Sequence, residues 1–330
     1  MMMTTDDLER LLVEVLTAVG FSRKAAAALS RQTVFSEELG QHSVGVAHVF
    51  DYIDGLEAGR IDGAAEPEIS DPAPTMIRID GKGGLPQTGF DMVIDRLVSR
   101  AKELGMCAVL QNNATTCGSL GTYALRLSNA GLVCLAATNG PPLLAGSGST
   151  KPVFCTNPMA FSTPQADGPP LLIDQSSSAT AYVNIREAAE RGEAIPAGWA
   201  LDRDGKPTTD PKAALMGTLL SYGGSRGANM ALMVEVLAAG LTGANWSLDA
   251  PSVFEGDQCP ASGLFVLAID PAVIDPDFPK RMSVQIQRLG KDYGVHIPGL
   301  AKAENRAHTL CGGIEVDDRA IERLRALTAD

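Results

Sequence analysis

Residues 146–152 read Gly146-Ser147-Gly148-Ser149-Thr150-Lys151-Pro152. This is the nearest the chain comes to a glycine-rich dinucleotide fingerprint. Such a fingerprint works because a strand delivers its glycines to a helix N-terminus, where free N–H groups hold a pyrophosphate. Here Pro152 follows directly and no helical stripe of apolar residues comes after it. Nor is the spacing that of a phosphate-binding P-loop. The stretch reads as a flexible glycine loop, so any dinucleotide binding must use a different device.

Outward from this loop, strand-like and helical runs alternate. Cys107 to Leu110, Leu132 to Ala137, Met159 to Ser162, Leu171 to Ile173 and Gly263 to Ile269 read as strands. Ile94, Leu97, Val98, Ala101 and Leu104 form a helical stripe stopped by Gly105, and Leu120, Tyr123, Ala124 and Leu127 form another that ends before Gly131. Ala228 to Leu241 is apolar nearly all round and reads as a buried helix. Phe278 to Tyr293 and Asp317 to Leu327 read as amphipathic helices.

The first 60 residues read as helical. Thr5 is placed to cap a helix carrying Leu8, Leu11, Leu12, Val15, Leu16 and Val19, with Gly20 at its end. Ser22 opens a second, Ala-rich helix to about Leu39. Ser43 precedes a third, with Val46, Val49, Phe50, Ile53 and Leu56 on one stripe. Pro, Asp and short apolar runs over 60–80 mark a boundary. The expected organisation is a helical part over 1–65, a central part over 66–270, and C-terminal helices over 271–330 that return to the N-terminal ones.

Composition excludes several functional classes. The chain has 330 residues and a formal charge of −12. That balance argues against nucleic-acid binding and against an anionic membrane surface, both of which need a basic face. No apolar run spans a bilayer, and the acidic N-terminus lacks the basic region of a signal peptide. Six cysteines without a C-x-x-C pair read as reduced thiols of a cytoplasmic protein. Four histidines without an H-E-x-x-H motif give no expectation of a metal.

Several short stretches are candidates for chemistry, each with a plainer alternative. Gly223-Gly224-Ser225-Arg226-Gly227 precedes the long apolar helix and suits an anion, or is a turn with an incidental arginine. Asp174-Gln175-Ser176-Ser177-Ser178 presents hydroxyls between a strand and a helix, or is a polar cap. His42, Ser43 and His48 surround a helix start, where Ser43 can be a simple N-cap. Thr115 and Thr116 lie between a strand and a helix, where substrates often meet an α/β scaffold.

Taken together, these stretches resemble the second type of malate/L-lactate dehydrogenase. That family includes ureidoglycolate and sulfolactate dehydrogenases and Δ1-piperideine/pyrroline-2-carboxylate reductases. The likeness is carried by Ser43-Val44-Gly45-Val46-Ala47-His48 with Tyr52, Gly55 and Gly59; by Cys155-Thr156-Asn157-Pro158-Met159-Ala160; by Gly198 to Asp202 with Gly205 to Pro211; and by Gly223 to Gly227. It implies a mixed α/β, non-Rossmann nicotinamide-binding fold: a large, largely antiparallel sheet plus a helical domain from both termini, in a cytoplasmic homodimer. It implies NADPH or NADH at Thr116, Cys117, Gly118, Ser119, Leu120, Thr156, Asp174, Gln175, Ser176, Ser225, Arg226 and Gly299. Substrate contacts are implied at His48, Thr156, Tyr182 and Val183, and catalytic roles at Ser43, His48 and Asn184.

The departures from the family pattern direct the functional reading. The family's proton-donating histidine falls on Val44, its carboxylate-binding arginine on His48, its relay aspartate on Asn184, and a histidine of the strand–helix loop on Thr116. A ketone oxygen must gain a proton as it is reduced, and a positioned acid is worth roughly 10²–10⁴-fold there. A cyclic imine can enter already protonated, so its reduction dispenses with that acid more cheaply. The expectation is therefore an NAD(P)H-dependent reductase of a small cyclic α-imino acid, with His48 taking over the carboxylate. A 2-hydroxy-acid dehydrogenase using His42 or His48 as the acid is the alternative, and an inactive relative is the second. A 2′-phosphate on the cofactor needs a cation; Arg226, Lys302 and Arg306 are the candidates.

Overall fold

The computed structural model describes residues 1–328. In chain order the helices are α1 (Thr5–Ala18), α2 (Arg23–Glu38), α3 (Val46–Glu57), α4 (Pro86–Leu104), α5 (Leu120–Asn129), α6 (Tyr182–Arg191), α7 (Pro211–Leu215), α8 (Ser225–Glu235), α9 (Phe278–Tyr293), α10 (Leu300–Gly312) and α11 (Asp318–Ala326). The strands begin with β1 (Met2–Met3), β2 (Glu68–Ala73), β3 (Met76–Gly84), β4 (Met106–Ala114), β5 (Val133–Thr138), β6 (Leu144–Ala145) and β7 (Pro152–Phe154). They continue with β8 (Met159–Thr163), β9 (Leu171–Gln175), β10 (Ala200–Leu201), β11 (Pro207–Thr208), β12 (Thr218–Leu219), β13 (Ser262–Ile269) and β14 (Ile314–Glu315).

The main sheet has seven strands in the order β2-β3-β4-β13-β5-β8-β9. Only β3 and β4 run parallel; every other neighbouring pair is antiparallel. Its middle strands are apolar on both faces because both faces are covered. Val109, Ala136 and Val266 point into a core shared with Phe90, Val93 and Leu97 of α4 and Tyr123, Ala124 and Leu127 of α5. Their neighbours Leu110, Ala137 and Phe265 point the other way, onto Val234 of α8 and Ala238 beyond it.

A second core joins the two ends of the chain. Leu8, Leu12, Val15 and Leu16 of α1 pack with residues of α2 and α3 and with Ile314, Val316, Ile321 and Leu324. β1 pairs with β14, which fixes the C-terminal segment against the N-terminus. Helix α9 goes elsewhere. Ala166 N–H donates to the Pro279 carbonyl and Asp167 N–H to Ser283 Oγ, so α9 is tied to the β8–β9 connection. A third core, in which Leu144, Ile185, Ala188, Leu219 and Ala231 meet, lies under a five-stranded sheet ordered β11-β10-β12-β6-β7. Gly146 to Lys151 is the connection between antiparallel β6 and β7.

Some local expectations are corrected. Thr4, not Thr5, caps α1, its side chain accepting from Asp7 N–H. Ser43 is not the cap of α3: that position is Gly45, and Ser43 lies in a 3₁₀ turn over His42–Val44. The 228–241 segment is not buried all round. It runs as α8 followed by a π-turn over Val236–Gly240, and only its Ala-rich side with Val234 and Glu235 faces inward. Leu232 and Val236 are each 51% exposed, and Met233 and Leu241 are open too. An all-apolar helix pattern shows that every side avoids charge, without showing what covers each side. Helix α10 was not legible because none of its residues is buried, so it carries no core stripe.

Candidate active site

The turn before α3 is built on a buried carboxylate. Glu37 Oε1 accepts the Val46 N–H at 2.6 Å, satisfying a free donor of the α3 N-terminus. Its other oxygen binds His42 Nδ1. Gly45 leaves room for this carboxylate, which a Cβ there would displace. Ser43 and Val44 sit on this turn, half-buried.

One turn further, His48 Nδ1 lies 2.6 Å from Asp51 Oδ2. The ring meets Tyr52 edge-on, with centroids 4.8 Å apart. Burial tends to raise the Asp51 carboxyl, but the His48 hydrogen bond and the charges of His48, Arg186 and Arg323 outweigh it and hold it below its ordinary value. Tyr52 is fully enclosed, and that burial pushes its phenol far up. Its hydroxyl donates to the Thr116 carbonyl at 3.1 Å and accepts from Gln87 Nε2 at 3.1 Å. His48, Asp51, Tyr52, Arg60, Thr115, Thr116 and Phe254 line one small cavity. Phe254 stacks on Tyr182 of α6 with centroids 6.4 Å apart, placing that predicted substrate contact at its edge.

The strand–helix loop 115–121 is held through its carbonyls. Gln32 Nε2 donates to Cys117 O at 2.7 Å, and Tyr123 Oη donates to the same carbonyl at 3.1 Å. The N–H groups of Gly118, Ser119, Leu120 and Gly121 find no acceptor among the described residues, and α5 has no side-chain cap. Gly118 has φ +66, the left-handed region glycine occupies without strain. Burial pushes the Cys117 thiol up to about 12, so it stays neutral and serves as packing.

Asp174, at the end of β9, faces this helix start. A Cβ on Gly121 would lie 2.7 Å from Asp174 Oδ2. The same oxygen accepts from Lys302 Nζ of α10 at 3.1 Å and from Gln41 Nε2 at 3.2 Å. Gly299, which caps α10, packs on Leu172 of β9; a Cβ there would come within 3.0 Å of its backbone. Further along, Ser177 N–H donates to Thr156 O at 2.8 Å, and Ser177 O accepts from Tyr222 N–H at 3.2 Å beside the start of α8. The segment from Leu172 to Ser177 therefore touches the N-termini of α5, α8 and α10. Each supplies unpaired N–H groups and a partial positive charge, which is the setting an elongated polyphosphate needs.

Thr156 is placed by a buried polar network. Asn157 adopts φ +39 and donates through Nδ2 to Ala231 O at 2.8 Å and to Glu235 Oε2 at 2.7 Å. Glu235 also accepts from Ser247 N–H at 2.6 Å and from Ser247 Oγ at 2.8 Å. Ser247 Oγ in turn accepts from Cys155 N–H at 3.1 Å.

Not every expected residue joins the group. Asn184 Nδ2 donates to Thr180 Oγ1 at 2.9 Å, and no hydrogen bond links it to Ser43 or His48 among the described residues. Val183 lies on the same helix start. Ser176 Oγ pairs with Ser178 Oγ at 2.9 Å, and Gln175 is exposed. Ser225 and Arg226 open α8 in the solvent, and Arg226 makes no ion pair among the described residues. Arg306 is taken by Glu38 at 2.9 Å and lies over the Phe35 ring. Sequence reading missed Gln32, Gln41, Gln87, Arg60 and Phe254, which have partners remote in sequence, and Glu37, whose partners His42 and Val46 lie across the turn between α2 and α3. It also missed Asp51, which the i,i+3 spacing to His48 on a helix makes visible. No group of three or more metal-ligating side chains gathers, and no helix is long and apolar enough to cross a membrane, among the described residues.

A profile of the malate/L-lactate dehydrogenase family matches residues 3–325. The chain belongs to this family. Within it, the chain is 34% identical over 330 residues to a (2R)-3-sulfolactate dehydrogenase (NADP(+)) from Chromohalobacter salexigens, covering 98% of this chain and 97% of that one. It is 33% identical over 329 residues to a Δ1-pyrroline-2-carboxylate/Δ1-piperideine-2-carboxylate reductase from Pseudomonas aeruginosa, covering 98% of each. Among solved structures, the Δ1-piperideine-2-carboxylate reductase of Pseudomonas syringae superposes with a TM-score of 0.95 at 31% identity, covering 99% of both chains. As a malate/L-lactate dehydrogenase family member, the chain is a nicotinamide-dependent oxidoreductase of mixed α/β fold.

Proposed function

We propose that this enzyme uses NADPH or NADH to reduce the C=N bond of a small cyclic α-imino acid, Δ1-pyrroline-2-carboxylate or Δ1-piperideine-2-carboxylate, giving an L-amino acid such as L-proline. The observation that carries this reading is Val44. It stands on the turn that leads into α3, four residues before His48, where a proton-donating histidine is expected, and a hydrocarbon side chain cannot give a proton. The likeness to reductases of this substrate class supports it.

The residues fit a dinucleotide. The unpaired N–H groups before and at the start of α5, the open N-terminus of α8 with Ser225 and Arg226, and Gly299 at α10 suit the phosphates. Asp174 and Ser176 offer a carboxylate and a hydroxyl beside them. When bound, the nicotinamide supplies a hydride. The chain's own part is to orient and to exclude water. Thr156 and Ser43 present hydroxyls, Tyr182, Val183 and Phe254 wall off solvent, and His48 binds the substrate carboxylate. Asn184 acts through the Thr180 hydroxyl that it holds. An imine that arrives protonated needs no further acid, and Val44 can supply none.

The bond between His48 and Asp51 favours a second reading. A histidine held by a carboxylate can itself act as the acid for a 2-oxo acid, which accords with the likeness to a sulfolactate dehydrogenase. The deciding assay follows NADPH and NADH oxidation with the pyrroline and piperideine carboxylates and with pyruvate, oxaloacetate and 3-sulfopyruvate. Faster turnover of the imines is expected; faster turnover of the 2-oxo acids establishes the second reading. Calorimetry showing no binding of either cofactor would instead mark an inactive relative.

The wider organisation is part of the same proposal: parts over 1–65, 66–270 and 271–330, a non-Rossmann cofactor site, and a cytoplasmic homodimer. The open apolar side of α8 supports the dimer. Sedimentation that gives the mass of a single chain sinks that part.

A further inference from the structure

We infer that Asp51 is a positioning residue whose bond to His48 turns that ring into the anchor for the substrate carboxylate. The inference rests on the reading of His48 as the carboxylate-binding group. It assigns a role to a residue outside the expected site.

The geometry makes the case. Asp51 Oδ2 lies 2.6 Å from His48 Nδ1 and one helical turn away, so α3 sets both side chains on one face. A carboxylate in that position accepts a hydrogen bond from Nδ1–H and fixes the ring's orientation and tautomer. Nε2 is left without a protein partner among the described residues. The ring cannot swing away, because it rests edge-on against Tyr52, whose hydroxyl is bound on both sides by Thr116 and Gln87. His48 side-chain exposure is 20% and that of Asp51 is 28%, so solvent screens the pair only in part.

Positively charged groups from α6, α11 and the segment after α3 favour an anion here, while the segment over 253–260 carries Glu255 and Asp257. Arg186 on α6 and Arg323 on α11 lie close enough to act on Asp51. Arg60, 7% exposed and without a carboxylate partner among the described residues, lines the same cavity. Its Nη1 donates to Gly256 O at 2.8 Å and its Nη2 to Asp54 O at 3.2 Å, while Nε stays unpaired. Tyr52 is neutral, and Asp51 is the one carboxylate among the residues lining the cavity. With the imidazolium formed, the pocket carries an excess of positive charge that a monoanionic substrate balances.

Calorimetry on the protein loaded with NADP⁺ tests this, using pyrrole-2-carboxylate and its neutral counterpart pyrrole-2-carboxamide as probes. Asp51→Asn is expected to weaken carboxylate binding by roughly 10-fold and carboxamide binding hardly at all. KM for the substrate should rise while kcat stays within about twofold. Asp51→Glu should restore part of the affinity. In a double-mutant cycle, Asp51→Asn should add little to His48→Gln, because the carboxylate acts through the ring. His48→Gln should itself weaken carboxylate binding and leave carboxamide binding nearly unchanged. Should Asp51→Asn fail to fold, the Asp51→Glu variant and the two probes measured on His48→Gln carry the test.

Equal losses for the two probes, additive effects in the cycle, or a fall in kcat with KM unchanged overturn the inference. If the imines are not reduced but pyrrole-2-carboxylate binding still depends on Asp51, the C=N reading fails and the anchor stands.

Discussion

Lys302 Nζ lies 3.1 Å from Asp174 Oδ2, a contact spanning 128 residues of sequence. It joins the end of the edge strand β9 to a helix that buries none of its own residues. Packing therefore contributes little to holding α10, and polar contacts such as this one and Arg306 with Glu38 do most of it. Lys302→Met should loosen α10 and weaken cofactor binding about fivefold, the order expected for a partly screened ion pair. Fluorescence titration with NADPH gives the affinity, and hydrogen exchange over residues 300–312 should quicken. Unchanged exchange there would show that α10 is held by something else.

Gly45→Ala places a methyl group against the Glu37 carboxylate that caps α3. Either the carboxylate moves and Val46 N–H loses its buried acceptor, or the turn shifts. The expected cost is about 1–3 kcal/mol in urea unfolding, with loss of activity, since His42, Ser43 and His48 flank the turn.

Ser247→Ala removes one donor from the buried Glu235 carboxylate and one acceptor from Cys155 N–H. Destabilisation of about 1–3 kcal/mol is expected. KM should rise as well, because the network sets the Asn157 turn next to Thr156. A stability loss with unchanged KM would separate the network from the site.

Asp51 titrates below its ordinary value in the folded chain, so its contribution to stability has a definite sign. It is present in full above the unfolded carboxyl's value, about 3.9, and is lost as pH falls through the lower folded value. The stability gap between the parent and Asp51→Asn should therefore hold steady from neutrality down to about pH 4 and close below it. Urea melts at several pH values measure this; a gap that widens on acidification would contradict the assignment.

Cys117 and Cys134 are buried thiols raised by that burial, whereas Cys311 on α10 is exposed. Mass spectrometry after brief iodoacetamide treatment should find Cys311 alkylated first in the native protein. Cys117 and Cys134 should react only after unfolding.

Much of the fold was legible because it is local. Apolar spacing marked α9 with the bounds it has in the structure, and the short apolar runs located the strands β4, β5, β8 and β13. The reading failed where spacing carries no information about what covers a surface. Helix α10 has no buried stripe to reveal it, and the open side of α8 looks in sequence like one more core face. Caps moved by one or two residues, Thr4 for Thr5 and Gly45 for Ser43, because the residue that caps is settled by where the chain enters the helix.

By itself the sequence determined the family, the order of the elements, and the chemical fact that position 44 cannot donate a proton. Those follow from residue identity and from contacts within a few residues. Only the tertiary structure decided that Glu37 caps α3, that Asp174 meets Lys302, that α5, α8 and α10 begin beside one short segment after Leu172, and that Arg60 faces the same cavity as His48. The Glu37 cap depends on how α2 and α3 meet across the turn between them, and the other pairings on sheet order and on how the chain's two ends share a core. Neither of those last two is written into any single stretch of residues.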